Sequence, residues 1–383
     1  MTKILIFENS SGMAHYTYKV CNGLAQFGEN NSIFYMTDSD FLYKQYLSSK
    51  IKLVDTLLTF SPSVTNKLLW IINRVYVVLR NILARNKFIN NNKIEVLNIQ
   101  FTTPIIEQFF IKMLCKKVKI VLTVHDVVPP VKSFYWSMKS LKKIYDNCHL
   151  LVVHTEENKK QLQDLFNIPD EKIQIIHHGV EVEYHKKSKN ECSKILGIPN
   201  DGITSFLFFG GIRAQKGLDD LIRAVNEIDV PCRLIIAGSM PYGESFDKYE
   251  KLIKDQNKFV KHIGFIEEDK LDYYFQYADA VVNPYKYFYS QSGVFMECIK
   301  YRKPIIASNV SSFKRFIDYY GIGIVVEPND VNSLKNGLYK FINLPRTEID
   351  RMILNLDIAA KDNSWESAAR LYYNSFSKVY GNA

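Results

Sequence analysis

No two cysteines in this chain stand in a CxxC pair. The six, Cys21, Cys115, Cys148, Cys192, Cys232 and Cys298, are scattered far apart, which argues against a zinc finger or a disulfide scaffold. Reduced thiols in a cytosolic protein are expected. Long apolar runs are missing too: the most apolar stretch, 68–83, is broken by Arg74 and Arg80, whereas a spanning helix needs about 20 nearly uncharged residues. The opening MTKILIFENSSG has one lysine and a four-residue apolar run, too little for a secretory signal. The fingerprint GxGxxG follows no strand-like run, and Walker A, HExxH and GxSxG do not occur. These absences disfavour a nucleotide-dependent dehydrogenase, a P-loop enzyme, a zincin and an α/β-hydrolase. Glycine and proline, at 17 and 12 residues, show no repeat, so collagen-like, solenoid and low-complexity chains fall away.

What is present suits two globular domains. The length of 383 residues is too great for one ordinary core, and 47% hydrophobic with 23% charged residues is a folded, soluble composition. The net charge of +9 is uneven. Residues 1–180 carry 22 Lys and Arg against 14 Asp and Glu, an excess of 8, while residues 181–383 carry 27 against 26. A basic first half suits an anionic partner, either a phospholipid surface or nucleic acid.

Short apolar runs alternate with helical periodicity throughout. Strands are expected at 3–7, 32–36, 94–99, 120–124 and 150–154, then at 205–209, 233–237, 280–283, 304–307 and 323–326. Helices are expected at 16–27, 217–228, 245–255, 268–277, 293–301, 312–319 and 330–342, with a closing amphipathic helix at 365–380 that presents Ala368, Leu371, Tyr372 and Phe376 on one face. This alternation predicts an α/β fold of two doubly wound, Rossmann-like lobes. The boundaries drawn are 1–180, 181–364 and 365–383, with a polar junction at 177–198.

Chemistry is expected at the carboxyl ends of the strands, where open α/β sheets bind ligands. In TVHDVVPP, His125 and Asp126 follow one strand directly; His125 is either a substrate contact or a buried structural histidine, and Asp126 fixes its loop or its ring. Gly12 and His15 occupy the turn after the first strand, where glycine lets a ligand approach the backbone. His178 lies at the junction, beside His177 and Gly179, as a hinge or cleft-lining residue. In FFGGIRAQKGLDDLIRA, Arg213 and Lys216 leave a strand together and can meet a leaving diphosphate. The segment Gln291, Ser292, Gly293, Val294 opens a helix and offers backbone N–H groups to an anion, and Glu297 follows one turn later, placed to accept hydrogen bonds from two sugar hydroxyls.

These motifs, in this order, resemble a retaining nucleotide-sugar-dependent glycosyltransferase of the GT-B fold, family 4. The resemblance rests on the Gly12 and His15 loop, TVHDVVPP, IIHHGVE, FFGGIRAQKGLDDLI, LIIAG, HIGFI and SQSGVFMEC followed by KPIIAS, and it covers nearly the whole chain. It implies lobes facing a cleft, with the closing helix crossing back to the first. The first lobe would bind the acceptor and the second the nucleotide sugar. It further implies that His125 lies near the reacting sugar and that Arg213 and Lys216 hold the diphosphate, the three forming the catalytic set. Gly12, Gly238, Phe265, Ile266, Gln291, Ser292, Gly293, Val294 and Glu297 would contact the donor, and His15, Asp126 and His178 would lie on the acceptor side. Such enzymes need no metal or other cofactor, and the nucleotide sugar is a co-substrate. Two positions depart from the common pattern: Tyr289 stands where a Glu is usual, and Gly211 where an Arg is usual.

The function expected is transfer of a hexose from a UDP-sugar, or from GDP-mannose, to a lipid-linked or oligosaccharide acceptor in capsule or O-antigen biosynthesis. The alternative is a non-catalytic subunit that binds nucleotide sugar or glycan. A cytoplasmic chain is expected, peripheral on the inner face of the membrane through 67–87, where Trp70, Ile71, Val75, Val78 and Leu79 alternate with Lys67, Arg74, Arg80, Arg85 and Lys87. Nucleic acid is not an expected partner, because no recognition module accompanies the charge.

Overall fold

The computed structural model of the chain describes residues 2–9, 13–27, 32–59, 67–129, 136–288 and 291–381. Gly12 and Tyr289 lie outside the described residues. The chain divides into two compact units, Met1–Gly179 with Trp365–Ala383, and Val180–Ser364.

The first unit holds a parallel sheet of β1 (Lys3–Phe7), β2 (Ser32–Asp38), β3 (Lys52–Leu57), β4 (Val96–Ile99), β5 (Lys119–Val124), β6 (Leu150–Val153) and β7 (Ile173–Ile175). Their order is β3-β2-β1-β4-β5-β6-β7. The second holds β8 (Thr204–Phe209), β9 (Cys232–Gly238), β10 (Phe259–Ile263), β11 (Ala280–Asn283), β12 (Ile305–Ser308) and β13 (Gly323–Val326), ordered β10-β9-β8-β11-β12-β13. The second order repeats the first without its seventh strand. Each sheet reverses direction of growth once, between β1 and β4 and between β8 and β11, and such a switch point opens a crevice at the strands' carboxyl ends.

The strands are apolar on both faces because helices cover both, as parallel sheets require. Leu5, Leu97, Ile120 and Leu122 belong to one core of the first unit, while Ile4, Ile6, Val121 and Val152 belong to the other. The expected strands are all present, shifted by at most two residues at an end. Three were not anticipated as strands: β3, β7 and β10.

Several helical expectations need correction. The segment 245–255 forms only the single turn Asp247–Glu250, because Tyr249 alone is buried there and no stripe repeats. The junction contains a helix, Lys189–Leu196, capped by Ser188, buried through Cys192 and Leu196 and ended by Gly197 at φ 66°; it belongs to the second unit. A 17-residue helix, Arg346–Asp362, was not expected, since only Leu356, Ala359 and Ala360 of it are buried. The closing helix spans Trp365–Gly381 and buries Ala368, Ala369, Tyr372, Ser375, Phe376 and Val379, but Leu371 is exposed rather than on the core face.

That closing helix is part of the first unit. A Cβ on Gly23 would stand 2.5 Å from the Cβ of Ala369, and one on Gly179 would stand 2.3 Å from the Trp365 ring. Glycine at both positions lets the helix lie against Ala14–Leu24 and against the strand-end segment 176–179.

Candidate active site

In the first unit the carboxyl ends of β5 and β6 bring three histidines together. His125 follows β5, His154 follows β6, and His178 follows β7 by three residues. His154 Nδ1 is 2.8 Å from the Ile176 carbonyl, and His154 Nε2 is 3.0 Å from His125 Nδ1. His178 Nδ1 donates to the Gly179 carbonyl at 3.0 Å. Tyr16 stands edge-on to His125, with centroids 5.0 Å apart at 90°, and lies 5.0 Å from His178 and 5.3 Å from Trp365. Behind the rings, Tyr372 joins Tyr16 at 2.9 Å and Thr123 at 3.0 Å through its hydroxyl.

Burial makes this cluster neutral. Desolvation, with the neighbouring His154 and His178 adding to it, holds His125 well below the ordinary 6.5. Burial likewise lowers His154 and His178 to about 4. His125 Nε2 is shielded from solvent and has no hydrogen-bond partner among the described residues. No group of three His, Cys, Asp or Glu among the described residues could hold a metal ion.

A cavity of about 1000 Å³ opens beside His125. Phe41, Leu57, Phe101 and Trp136 line it together with Asp38 and Gln100. Asp126 also lines it and is exposed, while the His125 ring is hydrogen-bonded through Nδ1 to His154. His15 is in ring contact, 5.5 Å from both Tyr18 and Tyr43, and near enough to His178 to add to the lowering of that group. His178 is wedged against Tyr16 and Trp365.

The second unit builds its strand ends differently. Gly210, Gly238 and Gly264 end the neighbouring strands β8, β9 and β10 with φ of 91°, 150° and 151°. They are stitched together, Gly210 N–H donating to Ala237 at 2.9 Å and Gly264 N–H to Gly238 at 3.0 Å. A Cβ on Gly238 would meet the Gly210 carbonyl oxygen at 2.0 Å, so only glycine fits. The result is a backbone ledge without side chains. Phe265 beside it is 85% exposed, and Ile266 packs partly buried on the core.

Lys216 reaches the edge of that ledge. Its Nζ would stand 3.2 Å from a Cβ at Gly210, beside Val294, and it lies over the Tyr285 ring at 5.5 Å. Burial, and secondarily Arg213, lowers it to about 8. No carboxylate among the described residues forms an ion pair with it. Arg213 is exposed at the start of the same turn. The helix Gly293–Lys300 begins beside Lys216, capped by Ser292, which also meets the Tyr285 hydroxyl at 3.1 Å. Gln291 Nε2 sits 3.0 Å from Met296 Sδ. Glu297 is pushed up by burial, with Lys300 opposing the shift; Lys300 forms an ion pair with its Oε2 at 3.6 Å, and that oxygen has no hydrogen-bond partner among the described residues.

The structure therefore gathers Lys216, Gly210, Gly238, Ser292, Gly293, Val294 and Glu297 in the second unit and His125 with His178 in the first. Sequence reasoning missed His154, Tyr16, Trp365 and Tyr372. It also missed Glu8, buried at the end of β1, pushed up to about 7 by burial and accepting the Tyr35 hydroxyl at 2.6 Å. The basic stretch 67–87 needs correction as well. Arg85 is fully buried, in a bidentate pair with Glu107 at 2.8 and 3.0 Å, and lies over the Phe7 ring, so it belongs to no surface.

Two family models match the chain: Glycosyltransferase Family 4 over residues 10–184 and Glycosyl transferases group 1 over 188–356. An uncharacterized glycosyltransferase of Methanocaldococcus jannaschii is 27% identical over 211 residues, 52% of each chain. The O-antigen chain mannosyltransferase B of Escherichia coli is 23% identical over 56% of this chain and 58% of its own. These matches thus span little more than half the relatives' length. Among solved structures, sucrose-phosphate synthase from Thermosynechococcus elongatus aligns over 100% of both chains with a TM-score of 0.77 at 17% identity. Anabaena HepE in complex with UDP-glucose aligns over 99% of this chain and 100% of its own, with a TM-score of 0.73 at 14% identity.

Proposed function

The chain belongs to the family 4-like glycosyltransferases of the GT-B fold, and from that premise we propose that it moves a hexose from a nucleotide diphosphate sugar to a glycan or lipid-linked acceptor, with retention at the anomeric carbon. The observation that carries this reading is Lys216, a half-buried cation with no carboxylate partner among the described residues, set beside the first turn of Gly293–Lys300. Transfer from such a donor breaks the bond between the anomeric carbon and the diphosphate, and negative charge grows on the leaving oxygen. Lys216, Arg213 and the helix N–H groups meet that charge in place of a metal ion. The ledge of Gly210, Gly238 and Gly264 accepts a flat base against backbone, and Glu297, with an oxygen free of hydrogen bonds, takes the ribose hydroxyls. In the first unit His125 offers a lone pair to a sugar hydroxyl, and the cavity beside it takes the acceptor.

A UDP-sugar is favoured as donor, with GDP-mannose as the alternative; a fold neighbour binds UDP-glucose and a relative is a mannosyltransferase of O-antigen chains. A lipid-linked acceptor in surface polysaccharide assembly agrees with the helix Lys67–Asn92, on which Leu68, Leu69, Ile72, Tyr76 and Leu83 are exposed beside Arg80 and Lys87. Among the described residues no helix is long and apolar enough to cross a membrane, so contact would be peripheral. Calorimetric titration with UDP, GDP, ADP and their sugar conjugates tests the donor half. One nucleotide should bind, and Glu297→Ala should weaken it about ten- to a hundredfold; binding of none, together with no turnover of any conjugate, overturns the reading. Co-sedimentation with anionic vesicles that is unchanged by charge reversal at Arg80 and Lys87 overturns the membrane contact.

A further inference from the structure

The hydrogen bonds of His154 fix more than its own position. A backbone carbonyl has no proton to give, so the 2.8 Å contact with Ile176 requires the proton of His154 to sit on Nδ1. A neutral imidazole carries one N–H, which leaves His154 Nε2 bare and able only to accept. Its partner 3.0 Å away, His125 Nδ1, must then be the donor. The single proton of His125 is thereby committed to Nδ1. What remains on the far side of that ring is the Nε2 lone pair, the atom that is shielded from water and without a partner among the described residues.

Histidine in water favours the opposite tautomer, with the proton on Nε2. An Nε2–H would present a donor to the ligand, and the Nε2 lone pair presents an acceptor. The structure has other means of holding the His125 ring in place, since Tyr16 stands edge-on to it and at 5.3 Å from the His154 ring. Shape alone, however, does not choose between the two nitrogens. Among the described residues it is His154, anchored in turn by the carbonyl of Ile176, that makes that choice.

We propose that His154 is a positioning residue for glycosyl transfer: it relays the polarity of the Ile176 carbonyl to His125, so that His125 meets a sugar hydroxyl as a hydrogen-bond acceptor through Nε2. The inference deepens the transferase reading and rests on it for its functional half. The tautomer itself can be read in the ligand-free protein, whether or not the donor is known.

The test is nitrogen NMR of the whole chain labelled at histidine, where protonated and bare ring nitrogens have well separated shifts. His125 should show a proton on Nδ1 and a bare Nε2 in the wild type. In His154→Phe, which keeps the ring and removes the acceptor, His125 should move toward the Nε2–H form. With the preferred donor, kcat should fall about ten- to a hundredfold, the worth of one mismatched hydrogen bond in the transition state, while KM for the donor changes less than about threefold. His154→Gln, whose amide oxygen can stand near the lost Nε2, should recover part of kcat. Where thermal melting shows His154→Phe to be unfolded, the wild-type spectrum and His154→Gln decide alone. A wild-type His125 carrying its proton on Nε2, or a folded His154→Phe with tautomer and kcat unchanged, overturns the proposal. Failure of the wild type to turn over any donor would instead overturn the transferase reading and leave the tautomer result standing.

Discussion

The two units share one strand order and use their strand ends in opposite ways. In the first, side chains make the surface: His125, His154 and His178 are brought together at the strand ends and kept neutral by burial. In the second, side chains are cleared away. Gly210, Gly238 and Gly264 leave bare backbone, and the charge comes from Lys216 at its margin. A neutral, directional group suits a sugar hydroxyl, whose partners must be told apart as donors or acceptors. A cation and a row of N–H groups suit a diphosphate, for which sign matters more than direction. The same topology thus carries a cluster of neutral histidines in one unit and a glycine ledge edged by a lysine in the other.

This contrast can be broken by substitution. Lys216→Ala should lower kcat about 10²- to 10³-fold, the usual loss when one preorganised group facing developing charge is removed, without moving the melting temperature. His125→Ala should cost less, about ten- to a hundredfold, as expected for a neutral hydrogen bond. Steady-state kinetics of both variants with one donor checks the ranking, and equal losses would remove the distinction drawn here.

Acid should act on the first unit. His154 has an ordinary value of 6.5 and is lowered to about 4 in the folded chain. Between those values the unfolded chain binds more protons than the folded one, so stability is full above about pH 6.5 and declines as pH falls toward 4. The loss is on the order of 3 kcal/mol for this one group, and His178 acts in the same direction. Urea unfolding at pH 7 and pH 4.5 measures it, and His154→Phe should flatten the slope.

Alkali should act on the second. Lys216 is lowered to about 8, and its charged form is the one that binds an anion. Donor affinity should hold below pH 8 and weaken above it by up to about tenfold per pH unit, until the higher value Lys216 reaches in the complex. Calorimetry in buffers of different ionisation enthalpy should show proton uptake on binding near pH 8. Affinity flat from pH 7 to 9.5 would place the lysine away from the diphosphate.

Much of the fold was legible because its signals are local. Runs such as LIIAG and AVVN are buried on both faces, and periods of two or of 3.6 residues can be seen in a line of letters. The strand β3 escaped because KLVDTL lies at the sheet edge, half exposed and without a clean alternation. The helix Arg346–Asp362 escaped because its buried stripe is mostly small residues. Within the site, the positions of glycines at strand ends and of a lysine just beyond them could be read directly, since each is fixed by the strand it follows. His154 could not. Its importance comes from meeting His125, 29 residues away, and from a carbonyl 22 residues away, and no spacing rule encodes which nitrogen faces which.

The helix Trp365–Gly381 carries a consequence for synthesis. It completes the first unit, filling the space between Gly23 and Gly179 and placing the Tyr372 hydroxyl on Tyr16 and Thr123. The ribosome reaches it only after all of Val180–Ser364 has been made. The usual order, in which the N-terminal domain is finished first, is therefore inverted. The second unit is complete while the first still waits with one apolar side of its sheet partly uncovered, and a nascent chain stalled before Trp365 would hold a finished glycine ledge and an unfinished histidine cluster.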